Sequence, residues 1–130
     1  MILLRLLAID DHTDTTGVVT DYCNMEGIYC KVINDGQRGL FEIQKGQYDL
    51  ILLDIAMPDY TGFDLLKQLK KQGVTHENIV ILTALDLKME DFKDYIEVGV
   101  KEILKKPFGL DHFDEVIKGY LRKVRYPVYQ

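Results

Sequence analysis

Leu50-Ile51-Leu52-Leu53-Asp54-Ile55-Ala56-Met57-Pro58 is the stretch from which the fold is read. Four aliphatic residues run without a break and stop at an aspartate. A short run of this kind suits a strand buried on both faces of a parallel sheet. Comparable runs occur at Leu3 to Ile9, Tyr29 to Ile33, Ile79 to Leu82 and Glu102 to Leu104. Between them lie longer stretches with helical spacing. One sets Phe63, Leu65, Leu66 and Leu69 along one side with Lys67, Lys70 and Lys71 outside, and another repeats Val116, Ile117, Tyr120, Leu121 and Val124. Gly27, Gly73 and Gly99 follow helical stretches where a left-handed C-cap is favoured. Asp35 and Asp111 are placed to cap helix N-termini, and Pro127 stops the last helix. Five βα units in succession predict an α/β domain, doubly wound, with a five-stranded parallel sheet and helices on both faces.

The chain has 130 residues, enough for one core and too few for two. The expected division is a domain over residues 1–124 and a tail or linker start over 125–130. A net charge of -5 excludes nucleic acid as a partner of the whole surface. The apolar start contains Arg5 and ends at Asp10 and Asp11, so it neither spans a membrane nor resembles a leader with a cleavage site. A cytoplasmic protein without membrane contact is expected. Cys23 and Cys30 are too few for a disulfide framework and read as small, half-buried hydrophobes.

In open α/β sheets, ligands bind beyond the carboxyl ends of the strands. Here the first strand ends in Asp10-Asp11, the third in Asp54, the fourth in Thr83 and the fifth in Lys105-Lys106-Pro107. Each has an ordinary explanation by itself; together on one rim they form a reactive group. Clustered carboxylates repel one another unless a hard divalent cation neutralises them, and oxygen ligands suit magnesium. A lysine supplies a point charge for phosphoryl oxygens, and a threonine hydroxyl donates to one. Aspartate is a competent nucleophile for an acyl phosphate. The set is that of in-line phosphoryl transfer, where positioning and charge neutralisation carry the catalysis.

These residues fall in a recognisable order: I-D-D at Ile9 to Asp11, L-L-D-I-A-M-P at Leu52 to Pro58 with Gly62 after it, L-T-A at Leu82 to Ala84, and K-P-F at Lys106 to Phe108. The chain thereby resembles the receiver domain of two-component response regulators, stand-alone chemotaxis regulators among them, from Met1 to about Val124. The resemblance implies a flavodoxin-like strand order 2-1-3-4-5. It implies that Asp54 is the phosphoacceptor, that Asp11 ligates the metal directly, and that Asp10 acts through metal-bound water. The carbonyl of Ala56 becomes the third protein ligand. Mg2+ is the implied cofactor, with Mn2+ as a substitute. Lys106 contacts the phosphoryl group, its bond to Pro107 is cis, and Thr83 is the switch hydroxyl. The partners implied are a sensor histidine kinase and an unidentified downstream protein.

Three positions depart from the family pattern or tune it. Ile103 stands where an aromatic usually reports phosphorylation to the outer face. The loop and helix from Leu85 to Glu97 are expected to carry that signal instead. Ala56 and Leu85, which flank the path of a hydrolytic water, cannot orient one through their side chains, so slow dephosphorylation is expected. His12 is expected to face solvent beside the site, and His76 and His112 show no partner in the sequence.

Two other readings compete. A haloacid-dehalogenase-type phosphatase needs a second acid two residues after its nucleophile, where Ala56 and His12 stand. A receiver-like interaction module that takes no phosphate would lack an acid, the acceptor or the lysine. The expected protein is not an enzyme toward other substrates; it catalyses only its own phosphorylation and slow dephosphorylation. A stand-alone regulator, a phosphorelay intermediate and an excised domain all fit. Asp91 and Asp94 on the fourth helix, facing Lys118, Arg122 and Lys123 on the fifth, offer a homodimer surface that includes the fifth strand.

Overall fold

The structure, a computed structural model, describes the backbone of residues 4–125 and the side chains of residues 4–121. Pro127, most of the tail, and the side chains of Arg122, Lys123 and Val124 lie outside the described residues.

Five strands form one sheet: β1 (Arg5–Ile9), β2 (Tyr29–Ile33), β3 (Leu50–Asp54), β4 (Ile79–Thr83) and β5 (Val100–Lys105). All pairings are parallel, and the order is β2-β1-β3-β4-β5. The helices are α1 (Thr13–Glu26), α2 (Gly36–Lys45), α3 (Gly62–Gln72) and α4 (Leu110–Arg125). Successive strand residues point to opposite faces, and the core divides accordingly. Leu7, Ile9, Ile51, Leu53, Ile79 and Ile81 face α2 and α3, where Ile43, Leu65, Leu66 and Leu69 are buried. Leu6, Ala8, Leu50, Leu52, Val80, Leu82 and Leu104 face α1 and α4, meeting Val19, Tyr22, Cys23, Phe113, Val116 and Ile117. This is the doubly wound flavodoxin-like arrangement expected from the sequence. Strands β3 and β4 are buried at every residue, which is why they read as unbroken apolar runs.

One crossover differs from expectation. Between β4 and β5 the helical segment is a 3-10 helix, η1 (Met89–Tyr95), rather than an α-helix. Met89, Phe92 and Tyr95 pack on the core at intervals of three, and only a 3-10 turn stacks residues i and i+3 directly above one another. Phe92 is fully buried and lies parallel to Phe63 with 5.0 Å between ring centres.

The caps sort likewise. Gly27 and Gly73 close α1 and α3 in the left-handed conformation, and the Asp35 carboxylate accepts from the Arg38 N–H at 2.9 Å at the start of α2. Asp111 does not cap: it sits inside the first turn of α4. Gly99 closes no α-helix. Its φ of 131° and the His76 carbonyl against it leave no room for a side chain.

Candidate functional site

Four of the five strands, β1, β3, β4 and β5, each deliver one reactive residue to the same rim. Asp10 follows β1 directly, its N–H held by the Ile33 carbonyl at 3.0 Å. Asp54 is the last residue of β3 and Thr83 the last of β4. Lys106 follows β5, its N–H bonded to the Thr83 carbonyl at 2.8 Å, and the Lys106–Pro107 peptide is cis. Asp10, Asp54 and Thr83 are buried, whereas Asp11 is half-buried.

The loop after β3 is shaped by a capping box that the sequence reading passed over and by Gly62, which it named as part of the motif. Thr61 and Asp64 form a reciprocal capping box at the start of α3, with bonds of 3.1 and 2.9 Å. Gly62 then lies so close to β3 that a Cβ there would stand 2.6 Å from the Asp54 carbonyl oxygen. The glycine lets α3 begin directly against the acceptor strand.

Charge is distributed unevenly around Asp54. Its Oδ1 accepts the Ala56 N–H at 3.1 Å and stands 3.8 Å from Lys106 Nζ. Its Oδ2 is buried with no hydrogen-bond partner. Lys106 Nζ approaches Asp10 Oδ2 at 2.6 Å, though off the direction of a hydrogen bond. Burial, reinforced by the charge of Asp10, pushes the Asp54 carboxyl up to about 6, with the Ala56 N–H and Lys106 opposing. Among the described residues Asp10, Asp11, His12 and Asp54 bring one ligand atom each to within 4.8 Å of one another. Orphaned oxygens on three carboxylates fit a hard, oxygen-seeking dication.

Thr83 Oγ1 accepts the N–H of Leu85 at 2.9 Å, so the hydroxyl oxygen is tied to its own loop. Leu85 is exposed, and it lines a cleft of about 380 Å³ with His12, Asp54, Ala56 and Lys106. Ile103 is half-buried on β5 opposite Ile81, against the core that holds Met89 and Tyr95.

The histidines depart in part from the sequence reading. The His12 ring is 57% exposed, but its Nδ1 turns inward to 3.0 Å from Asp10 Oδ1, 3.2 Å from Asp11 Oδ1 and 3.5 Å from Asp54 Oδ2. The hydrogen bond to Asp10 is the main reason its pKa is raised. His76 has partners too: Asn78 N–H donates to its Nδ1 at 2.9 Å, which leaves Nε2–H to donate to the Tyr48 carbonyl at 2.6 Å. His112 lies 3.7 Å from Glu115 at the surface. Of the charges offered for a dimer, Asp91 accepts from the Lys88 N–H at 2.8 Å and Lys118 pairs with Asp114 at 3.2 Å. Among the described residues no helix is long and apolar enough to cross a membrane.

Known proteins share this arrangement. The chain is 32% identical to the transcriptional regulatory protein CiaR of Streptococcus pneumoniae over 93% of its length and 53% of that protein. It is 30% identical to part of the sensor histidine kinase RcsC of Salmonella typhi, over 94% of this chain and 13% of that one. It thus spans about half the length of the transcriptional regulators it matches. Among solved structures, the receiver domain of Francisella response regulator 1452 superposes with a TM-score of 0.77 at 30% identity, covering 93% of this chain and 98% of that one. The family model of the response regulator receiver domain matches residues 6–118, and with the strand order and rim described above this chain belongs to that family.

Proposed function

We propose that Asp54 takes a phosphoryl group from the phosphohistidine of a sensor histidine kinase and that the domain works as a phosphorylation-dependent switch in the cytoplasm. The observation that carries this reading is Asp54, buried at a strand end beside two further acids: its Oδ2 has no hydrogen-bond partner and its Oδ1 stands 3.8 Å from Lys106. Asp11, Asp54 and the Ala56 carbonyl are the residues that would hold Mg2+ or Mn2+, with Asp10 acting through water. The ion, when bound, neutralises the carboxylates and the incoming phosphoryl oxygens.

The chain's own groups do the rest. A carboxylate oxygen of Asp54 forms the new bond to phosphorus as the bond to the donor nitrogen breaks, and the donor ring, protonated at its other nitrogen, leaves as neutral imidazole. Lys106, already drawn in by Asp10, supplies a fixed positive charge for the transferred oxygens. Rotation of the Thr83 side chain to donate its hydroxyl to one of them carries Oγ1 away from the Leu85 N–H and frees the loop before η1. A 3-10 segment has poorer hydrogen bonds than an α-helix, so η1 is the element that rearranges at least cost. With Ile103 in place of an aromatic, that motion carries the signal to the face formed by η1, β5 and α4. An unidentified downstream protein, or a second copy of the chain, reads it there. The domain catalyses only its own phosphorylation and slow dephosphorylation.

The test is incubation with acetyl phosphate and Mg2+, followed by intact mass of wild type and Asp54→Ala. A gain of one phosphoryl group in wild type only is expected. No gain in either would leave a receiver-like interaction module. Sizing the same samples checks the dimer, and a complex with a phosphoryl mimic that leaves Leu85 to Glu97 unmoved would refute the proposed readout. The similarity to part of RcsC supports a second placement, as a relay intermediate. Transfer of the group onward to a histidine-containing phosphotransfer protein would favour it.

A further inference from the structure

The structure assigns His12 as a nitrogen ligand that shifts the metal preference of this site from Mg2+ toward the borderline dications Co2+, Ni2+ and Zn2+. The inference rests on the reading of the rim as a metal site and adds to it the identity of the ion.

Ligand atoms that share an octahedral ion at about 2.1 Å stand about 3 Å apart when adjacent. His12 Nδ1 lies 3.0, 3.2 and 3.5 Å from one oxygen each of Asp10, Asp11 and Asp54. The Asp10 distance is that of their hydrogen bond, so the Asp11 and Asp54 oxygens are the ones Nδ1 stands beside in a shared ligand shell. Those two oxygens, Asp11 Oδ1 and Asp54 Oδ2, are buried and have no hydrogen-bond partner. The position of His12 follows from the fold: as the residue before α1 it has extended backbone, and its side chain makes no capping bond that would hold it elsewhere. The ring is 57% exposed, and ligation through Nδ1 requires it to leave its hydrogen bond to Asp10, the neutral ring keeping its proton on Nε2. Carboxylates and carbonyls select Mg2+, whereas an imidazole added to them favours later first-row ions.

The experiment compares Co2+ and Mg2+ binding by calorimetry in wild type, His12→Ala and Asp54→Ala, with Mn2+ pulsed EPR on the same proteins. His12→Ala is expected to lower the Co2+-to-Mg2+ affinity ratio about tenfold and to abolish nitrogen coupling to bound Mn2+. Circular dichroism checks that the variant is folded. A ratio unchanged in folded His12→Ala, with no nitrogen coupling in wild type, overturns the assignment while leaving a Mg2+ site intact. Asp54→Ala should weaken both ions. If it weakens neither, the metal reading itself fails, and the role of His12 fails with it.

Discussion

Asp54 and Glu42 are both buried carboxylates, yet they are treated in opposite ways. Glu42, on α2, accepts the Tyr48 hydroxyl at 2.6 Å and lies 3.5 and 3.6 Å from the ammonium groups of Lys31 and Lys45. The Tyr48 bond, with help from both lysines, holds its carboxyl below the usual range. Asp54 has one backbone donor, a lysine shared with Asp10, and an oxygen without a partner. Its carboxyl is pushed up to about 6. A structural acid is completed by its own chain. An acid kept incomplete has room for something the chain does not contain, and the fold bears the cost until that arrives.

Phosphoryl transfer should separate the two acids most widely. Asp54→Asn keeps the shape but removes the nucleophile, so no mass gain is expected with acetyl phosphate. Glu42→Gln should be phosphorylated at a rate within about threefold of wild type, since Glu42 touches nothing at the rim. Equal loss in both variants would erase the distinction.

Stability comes next, with opposite signs. A carboxyl raised from 3.8 to about 6 on folding is penalised when ionised. The penalty begins as pH rises past 3.8 and is complete above about 6. Asp54→Asn should therefore stabilise the metal-free protein at neutral pH by on the order of 3 kcal/mol, an advantage that fades as pH falls from about 6 and is gone below about 4. Urea unfolding of both proteins at several pH values measures this. Saturating Mg2+ should narrow the gap, because a bound ion stabilises the folded wild type. A destabilised Asp54→Asn would show that the acid is already satisfied.

The rim was legible in the sequence because its residues are fixed by where strands end. An apolar run that stops at Asp54 announces both the strand and the exposed edge, and the same holds for Asp10, Thr83 and Lys106. What escaped depends on contacts the spacing does not announce. The Glu42–Tyr48 bond folds back across the short turn from α2 toward β3, and the link from His76 to the Tyr48 carbonyl joins segments that only the folded sheet brings together. A faint signal existed for Glu42: Gly36, Gly39 and Glu42 recur at intervals of three on the buried side of α2, which places the acid on a packed stripe. The inward turn of His12 depends on its side-chain rotamer. The 3-10 form of η1 was written in the spacing of Met89, Phe92 and Tyr95, but Leu87 and Ile96 blurred it into an ordinary helical pattern.

A smaller effect tests how open the incomplete acid is to water. Leu85 and Ala56 line the cleft beside Asp54 and offer no side-chain hydrogen bond to a hydrolytic water. The phosphorylated wild type should decay over many minutes. Leu85→Glu, which can orient a water, should speed decay about tenfold. Following the loss of the phosphoryl mass with time measures both, and a wild type that turns over in seconds would sink the idea.

The smallest effect belongs to Glu42, and its sign is the reverse of that for Asp54. A carboxyl whose folded pKa lies below its ordinary 4.5 contributes stability above that value and loses it as pH falls through the lower one. Glu42→Gln keeps an acceptor for the Tyr48 hydroxyl and removes only the charge. The loss at neutral pH should therefore be about 1 kcal/mol, vanishing below pH 4.5 as the wild-type acid is protonated. Glu42→Ala should cost more at every pH, because the Tyr48 hydroxyl then loses its partner in a buried place. If Glu42→Gln proved as stable as wild type at neutral pH, Lys31 and Lys45 would be shown to add nothing across their 3.5 and 3.6 Å separations. Glu42 would then be satisfied by a single hydroxyl, and its contrast with Asp54 would rest on that one bond.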